Sequence, residues 1–363
     1  MTKPTMLDYI NETKAILLDM LNKRNETYNE FADVYTANVG KYKNIYLIGS
    51  GTSFNSCITA QPFLEKILNK HVVIINSYNF AHYEELVTSN DLVIAITQEG
   101  ESTNTIAALN RANNLNCDNF VITEDRDNSC SKVAQHKIVL ACGLEHIGPK
   151  TKGYSASILT FYLIALEAAK TAKVITAEAY SNYISRIERV VDNLDNIIEE
   201  TKSWFDLNKE DLEKCDHGYI LGYGINKGTI IEGALKSLET VREYFQPFEL
   251  EEFLHGPIAS MHDNTYTIII APRTYGYERA RKLYESLDSQ NAHSYLVSGR
   301  QETNADHVLN GSFISDEDFN PLEYCIPLQL FAYLLYTSQG KDLEVRNYPD
   351  TKEALTTKAK DVQ

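Results

Sequence analysis

Asn44-Ile-Tyr-Leu-Ile-Gly-Ser-Gly51 is a short apolar run closed by Gly-x-Gly, and His217-Gly-Tyr-Ile-Leu-Gly-Tyr-Gly224 repeats the pattern. An unbroken apolar run needs cover on both sides, which is the condition of a strand inside a parallel sheet. A Gly-x-Gly turn after such a strand lets the backbone reverse sharply into a helix. Helical stretches do follow, around Ala60 to Leu68 in one case and Ile230 to Arg242 in the other. Two copies of strand, turn and helix point to two α/β halves and suggest an internal duplication, carried by architecture more than by shared residues.

The alternation continues through strands near Val72 to Ile75, Leu92 to Ile96, Phe120 to Thr123 and Ile138 to Leu140, then a helix from Tyr154 to Lys170 and more helix from Ala177 to Trp204. In the second half, strands are expected at Tyr266 to Ala271, Ser294 to Val297 and Ser312 to Ile314, with helices at Tyr277 to Leu287 and Leu322 to Thr337. Such alternation predicts α/β architecture with mostly parallel, doubly wound sheets. Ile10, Ile16, Leu17, Met20 and Leu21 on a charged background add an amphipathic N-terminal helix. The 363 residues suffice for two domains. The boundaries read as a helical segment over 1–40, a first domain over 41–175, a connecting helix over 176–209, a second domain over 210–340 and a tail over 341–363.

Charge and composition remove several function classes. With 34 basic against 50 acidic residues, a net charge of -16 and no Lys/Arg-rich block, nucleic acid and anionic membrane are not expected partners. The N-terminus has no apolar signal region, and runs such as Thr267 to Ala271 are too short to span a bilayer, so a cytoplasmic protein is expected. The six cysteines are scattered without C-x-x-C or a histidine at ligand spacing, so reduced buried thiols are expected, with no metal, no cofactor and no disulfide framework.

The chemistry-bearing residues sit in turns at the strand ends. Gly51, Thr52 and Ser53 make an anion-sized turn, but Phe54 stands where a dinucleotide fingerprint needs its third glycine, and no P-loop lysine follows. Thr97-Gln-Glu-Gly-Glu-Ser102 is a second polar turn into a helix; in an open α/β sheet both turns lie outside the carboxyl ends of the strands. Lys150, Thr151 and Lys152 close a third strand end. Glu239 borders the apolar stripe of Leu235, Leu238 and Val241, and taken alone reads as a salt-bridge partner. His255 stands before Gly256-Pro257 at a chain reversal, where it reads as a hydrogen-bonded histidine.

In combination, Gly51-Thr-Ser53, Thr97-Gln-Glu-Gly-Glu-Ser102, Leu235-Lys-Ser-Leu-Glu239 and Leu254-His-Gly-Pro257 resemble the sugar isomerase (SIS) family. The layout is similar to the isomerase half of glucosamine-6-phosphate synthase and to fructosamine-phosphate deglycases and amino-sugar phosphate deaminases. The resemblance runs from about residue 40 onward and includes the sixteen-residue interval between Glu239 and His255. It implies two tandem flavodoxin-like SIS domains in a homodimer with shared active sites. Glu239 would be the base moving a proton between C1 and C2 of an open-chain sugar, and His255, from the neighbouring subunit, would open the ring. Either Lys358 or Lys360 would correspond to a C-terminal Schiff-base lysine. Gly51, Thr52, Ser53, Thr97, Gln98, Glu99, Ser102 and Lys150 would contact the substrate.

Without a catalytic cysteine near residue 1 or 2, the resemblance leads to glutamine-independent chemistry: removal of ammonia from an amino-sugar phosphate, or of an amino acid from its Amadori adduct. A simple aldose–ketose phosphate isomerase and a non-catalytic sugar-phosphate-binding regulator are the alternatives. The sequence departs from the family at Glu99, where the turn typically has a serine on the substrate phosphate. A carboxylate ~4 Å from a phosphate dianion is repelled by several kcal/mol at an effective dielectric near ~20 unless a cation intervenes. Lys150, at a position where the family has serine, is the cation expected to pair with Glu99. Either that pair rebuilds a phosphate site, or Glu99 faces a substrate that is unphosphorylated or carries an ammonium group.

Overall fold

The computed structural model describes residues 3–290, 292–302, 306–345 and 347–359. The chain forms two compact units whose segments interleave. One comprises Ala15–Glu145, Lys152–Ile184 and Glu344–Gln363; the other comprises Met1–Lys14, His146–Thr151 and Ser185–Leu343.

The unit containing Ala15–Glu145 is built on β1 (Asn44–Gly49), β2 (His71–Asn76), β3 (Leu92–Ile96), β4 (Asp118–Thr123) and β5 (His136–Val139), all parallel in the order β2-β1-β3-β4-β5. Every residue of β3, and all but the first of β1 and β4, is buried, which is why these strands read as unbroken apolar runs. One face is covered by the helix Lys152–Thr171, buried along nearly its whole length, which packs on the helix Thr52–Leu68. The other is covered by Ala108, Leu109 and Ala112 of the helix Thr103–Asn114.

The second unit repeats the sheet with β6 (His217–Gly222), β7 (Tyr244–Glu249), β8 (Tyr266–Ala271), β9 (His293–Ser298) and β10 (Val308–Asn310), parallel in the order β10-β9-β8-β6-β7. Read from the other edge, that is the strand order of the first sheet. The duplication expected from the repeated Gly-x-Gly turn is therefore present in topology. The helix Lys227–Thr240 packs against the helix Pro321–Ser338 so closely that a Cβ on Gly233 would lie 2.6 Å from Leu328 Cδ1. All six cysteines are buried, and none is held in a disulfide. Among the described residues, no helix is long and apolar enough to cross a membrane, and no cluster of His, Cys, Asp and Glu has metal-ligand geometry.

Several elements differ from expectation, among them β10, which was not foreseen. Ser312 to Ile314 is not a strand: residues 311–316 are irregular. Side chains take over the ladder's work there, since Asn193 Nδ2 donates to Ser312 O at 2.9 Å and the Glu323 carboxylate accepts from the N–H groups of Ile314 at 2.8 Å and Ser315 at 3.0 Å. The same Asn193 separates two helices, Ala177–Asp192 and Leu194–Leu212, where one continuous helical stretch was expected. The edge strand β7 was missed because Pro247 interrupts it, and a proline is tolerated only where one side of the strand is unpaired.

Candidate active site

In the first sheet, β1 and β3 are neighbours, and their carboxyl ends carry the two expected turns. Gly51 has φ 58° and opens the helix Thr52–Leu68 without a side-chain cap. That left-handed φ is open to glycine and strained for other residues. At the end of β3, Thr97 N–H donates to Ile122 O at 3.0 Å, and Gln98 O accepts from Glu124 N–H at 3.0 Å, so β4 holds the start of the turn. Gln98 Nε2 reaches Gly143 O at 3.2 Å. Ser102 Oγ accepts from Thr105 N–H at 3.4 Å and caps the helix Thr103–Asn114.

The two carboxylates in this turn have separate duties. Glu101 accepts from Ser129 Oγ at 2.6 Å and from Ser129 N–H at 3.3 Å, tying the turn to the helix after β4. Glu99 accepts from Lys358 Nζ at 2.5 Å. The tail that brings Lys358 is laid on the turn by its backbone: Thr103 N–H donates to Thr357 O at 2.9 Å, Ala359 N–H donates to Glu101 O at 2.7 Å, and Ser102 bridges Lys358 in antiparallel sense. A charge the turn could not carry alone is thus met by a lysine from the far end of the chain.

Glu124 follows β4 directly, and its carboxylate accepts from the N–H groups of Cys142 at 3.0 Å and Gly143 at 2.7 Å, which shapes the loop that Gln98 also reaches. Burial, with Glu124 beside it, pushes the Cys142 thiol well above its ordinary pKa and keeps it a neutral thiol.

Glu239 and His255 belong to the second unit. Glu239 lies in the last turn of the helix Lys227–Thr240 and accepts from Lys236 Nζ at 2.5 Å. Lys236 is fully buried, with Glu232 on its other side at 3.2 Å. Burial works to lower the Lys236 pKa, but the fields of Glu232 and Glu239 outweigh it and hold the ammonium above its usual range. Glu239 keeps 35% of its side chain exposed while Glu232 keeps 1%, so the cluster presents one carboxylate outward and anchors it with a fixed positive charge. Sequence reasoning missed Lys236 and Glu232. Their signal was the i−3 and i−7 spacing from Glu239, which puts all three on one helix face.

His255 follows the short helix Leu250–Leu254, its N–H bonded to Glu252 O at 3.2 Å, and lines a 390 Å³ cleft with Lys227, Phe248, Glu249 and Pro257. Glu239 does not line that cleft. Lys150 falls in the same unit as Glu239, whereas Glu99 falls in the other. Lys360 lies outside the described residues.

Residues 40–167 match the SIS domain family. A glutamine–fructose-6-phosphate aminotransferase (isomerizing) from Thermococcus kodakarensis is 25% identical over 343 residues, covering 93% of this chain and 56% of that protein. The chain therefore spans about half the length of the curated relatives it matches. A solved structure from Clostridium difficile, a candidate phosphosugar isomerase, superposes with a TM-score of 0.89 at 25% identity over 98% of this chain and 99% of that one. The C-terminal domain of glucosamine-fructose-6-phosphate aminotransferase from Francisella tularensis shares the fold, with a TM-score of 0.83 at 20% identity over 93% of this chain and 96% of that one. The chain carries a SIS domain and is homologous to the isomerase domain of the glutamine–fructose-6-phosphate aminotransferases.

Proposed function

We propose that this SIS-domain protein is a glutamine-independent deglycase or deaminase acting on an amino-sugar or fructosamine phosphate. The observation that carries the catalytic part is the Glu232–Lys236–Glu239 cluster. A lysine with no exposure, placed between two carboxylates, leaves Glu239 partly in solvent beside a fixed positive charge, which suits a carboxylate base for a carbon-bound proton. In the proposed reaction Glu239 takes the proton from the carbon next to the carbonyl or iminium carbon, giving an enediol or enaminol. It returns that proton to the neighbouring carbon. An amino group carried at C1 or C2 thereby becomes an imine, water adds across the C=N bond, and the amine leaves. His255, supplied by a second copy of the chain, is assigned to ring opening.

The Glu99–Lys358 pair favours amine release over synthesis. A lysine whose ammonium is held by a carboxylate is not a free nucleophile, and a substrate that already carries its amine can form the imine without a lysine Schiff base. Gly51, Thr52, Ser53, Thr97, Gln98 and Ser102 are assigned to the sugar phosphate, and Lys150 is assigned to substrate binding.

The test is a substrate panel of glucosamine 6-phosphate, fructoselysine 6-phosphate and glucoselysine 6-phosphate, read as ammonia or amino-acid release by wild type and Glu239→Gln. Release by wild type that is lost in the variant supports the proposal. Interconversion of glucose 6-phosphate and fructose 6-phosphate with no amine release makes the chain a simple isomerase. Binding without turnover, indifferent to Glu239→Gln, makes it a sensor.

A further inference from the structure

The second sheet ends in a cleft of 820 Å³ that the reaction above does not use. It lies past the carboxyl ends of β6, β7 and β8, with Tyr223, Gly224, Asn226, Arg273 and Tyr275 in its walls. β6 is the first strand of its sheet, and its neighbours β7 and β8 lead away on either side, so the cleft sits at the topological switch point where open α/β sheets take ligands. The first sheet has its Gly-x-Gly turn at the same place. Gly51 and Gly224 both have a positive φ, 58° and 61°.

Two helices begin at this cleft. Lys227–Thr240 follows the short turn Gly224–Asn226, and Tyr277–Asp288 follows Gly276; neither has a side-chain cap. Their N-termini favour an anion. A separate observation points to a ligand with a hydroxyl group. Asn226, 1% exposed, donates through Nδ2 to Asn320 Oδ1 at 2.6 Å, and Asn320 Nδ2 donates to Asp316 O at 2.6 Å. That chain of donors orients both amides and leaves Asn226 Oδ1 an acceptor with no donor among the described residues. A buried acceptor in this condition is destabilising until something donates to it.

The wall carries three carboxylates, Glu249, Glu251 and Glu317, and two arginines, Arg273 and Arg279. Glu249 caps the following short helix, accepting from Glu251 N–H at 2.9 Å and Glu252 N–H at 3.1 Å. Glu251 is held by Arg279 through two bonds of 2.7 and 3.0 Å. Glu317 is exposed and stands 3.7 Å from the Arg186 guanidinium, which is bonded more closely to Asp316 at 2.7 Å and Asp318 at 2.8 Å. Arg273, by contrast, is exposed, donates only to Ile314 O at 3.3 Å, and has no carboxylate within ion-pair distance among the described residues. Tyr275 is fully exposed at the rim and offers a ring face to a sugar.

We propose that this cleft is a second ligand site, for a phosphorylated sugar. The phosphate is taken by Arg273 and the N–H groups at Gly224 and Ile225, and a sugar hydroxyl donates to Asn226 Oδ1. The inference does not depend on the catalytic role proposed for Glu239 and His255.

The experiment is calorimetric titration of the full chain with glucose 6-phosphate, glucose and inorganic phosphate, in a Thr97→Val background that weakens the first site, with and without Arg273→Glu. The Thr97→Val chain is expected to bind glucose 6-phosphate at one equivalent, at least tenfold tighter than either fragment. Arg273→Glu is expected to weaken that binding at least tenfold, and Tyr275→Ala, at a fully exposed position, to weaken it less. Thermal unfolding of each variant confirms that it is folded. The proposal is overturned if the Thr97→Val chain binds no glucose 6-phosphate, or if its binding is indifferent to both Arg273→Glu and Tyr275→Ala. Inorganic phosphate binding as tightly as glucose 6-phosphate overturns the sugar part and leaves an anion site. Failure of the first-site reading shows instead as a wild-type isotherm that Thr97→Val does not change.

Discussion

Glu99 and Lys358, 259 positions apart in sequence, meet at 2.5 Å on the turn that follows β3. The pair is part-buried, with side-chain exposures of 27% and 39%, so its contribution to stability is small, about 1 kcal/mol or less. Its weight falls on ligand charge instead.

Glu99→Ser removes the carboxylate and leaves the Lys358 ammonium over the turn. We expect glucose 6-phosphate to bind roughly tenfold tighter, the equivalent of ~1.4 kcal/mol, and Lys358→Met to weaken it. Isothermal titration at two salt concentrations checks both, because the gain shrinks as salt screens the lysine. Tighter binding in Lys358→Met would show that the lysine does not offset Glu99.

The buried cluster in the helix Lys227–Thr240 makes a prediction about stability. Lys236→Met removes one side of the buried Lys236–Glu232 ion pair, in which Glu232 is 1% exposed, and breaking a buried pair from one side costs ~3–5 kcal/mol. Removing both, in Glu232→Leu/Lys236→Met, is expected to recover most of that loss in urea denaturation. Activity is expected to stay lost in the double variant, because Glu239 no longer has its anchor. A single variant as stable as wild type would contradict the account.

Gly100 has φ 71°, and a Cβ there would overlap the Asn128 amide. That amide cannot move cheaply: its Oδ1 accepts from Ser131 N–H at 2.9 Å and its Nδ2 donates to Thr123 Oγ at 2.9 Å. Gly100→Ala is therefore expected to lower stability by more than ~1 kcal/mol and to disturb ligand binding at Thr97 and Ser102, measured as melting temperature with and without glucose 6-phosphate. An unchanged melting temperature would mean that the turn relaxes freely.

Glu323 connects stability to pH. Burial pushes its carboxyl pKa up from 4.5 to about 7, against the N–H donors of Ile314, Asn193 and Ser315, which pull it down. The folded state then holds a proton that the unfolded state releases between pH 4.5 and about 7. The stabilisation is complete below the lower value and is lost as pH rises through the upper one, a change of about 3 kcal/mol. The difference in urea midpoint between wild type and Glu323→Gln should change across that window in wild type's disfavour as pH rises. A difference independent of pH would mean that the carboxyl is ionised throughout.

The parallel strands were legible because burial on both faces leaves no alternation to blur: Leu92–Ile96 and Tyr266–Ala271 have the same limits in sequence and in structure. The irregular stretch at 311–316 was not legible, because the side chains that replace its ladder, Asn193 and Glu323, come from elsewhere in the chain. Edge strand β7 was hidden by its proline for a local reason, and only its place at the sheet's edge made the proline tolerable.

For the site, local order sufficed to mark Gly51, Thr97 and Ser102, since a strand end, a glycine and a helix cap are written within a few adjacent residues. The same local order left Glu99 as a charge with no explanation. Its answer is 259 positions away, in a tail whose polar sequence has no periodicity to place it. Lys236 likewise looked like an ordinary helix lysine, and packing alone put it at zero exposure between two carboxylates. Backbone conformation follows from neighbours in sequence, so strands, turns and caps could be read directly. Electrostatic pairing follows from distance in space, so Lys358 beside Glu99 and Lys236 beside Glu239 were visible only in the folded chain.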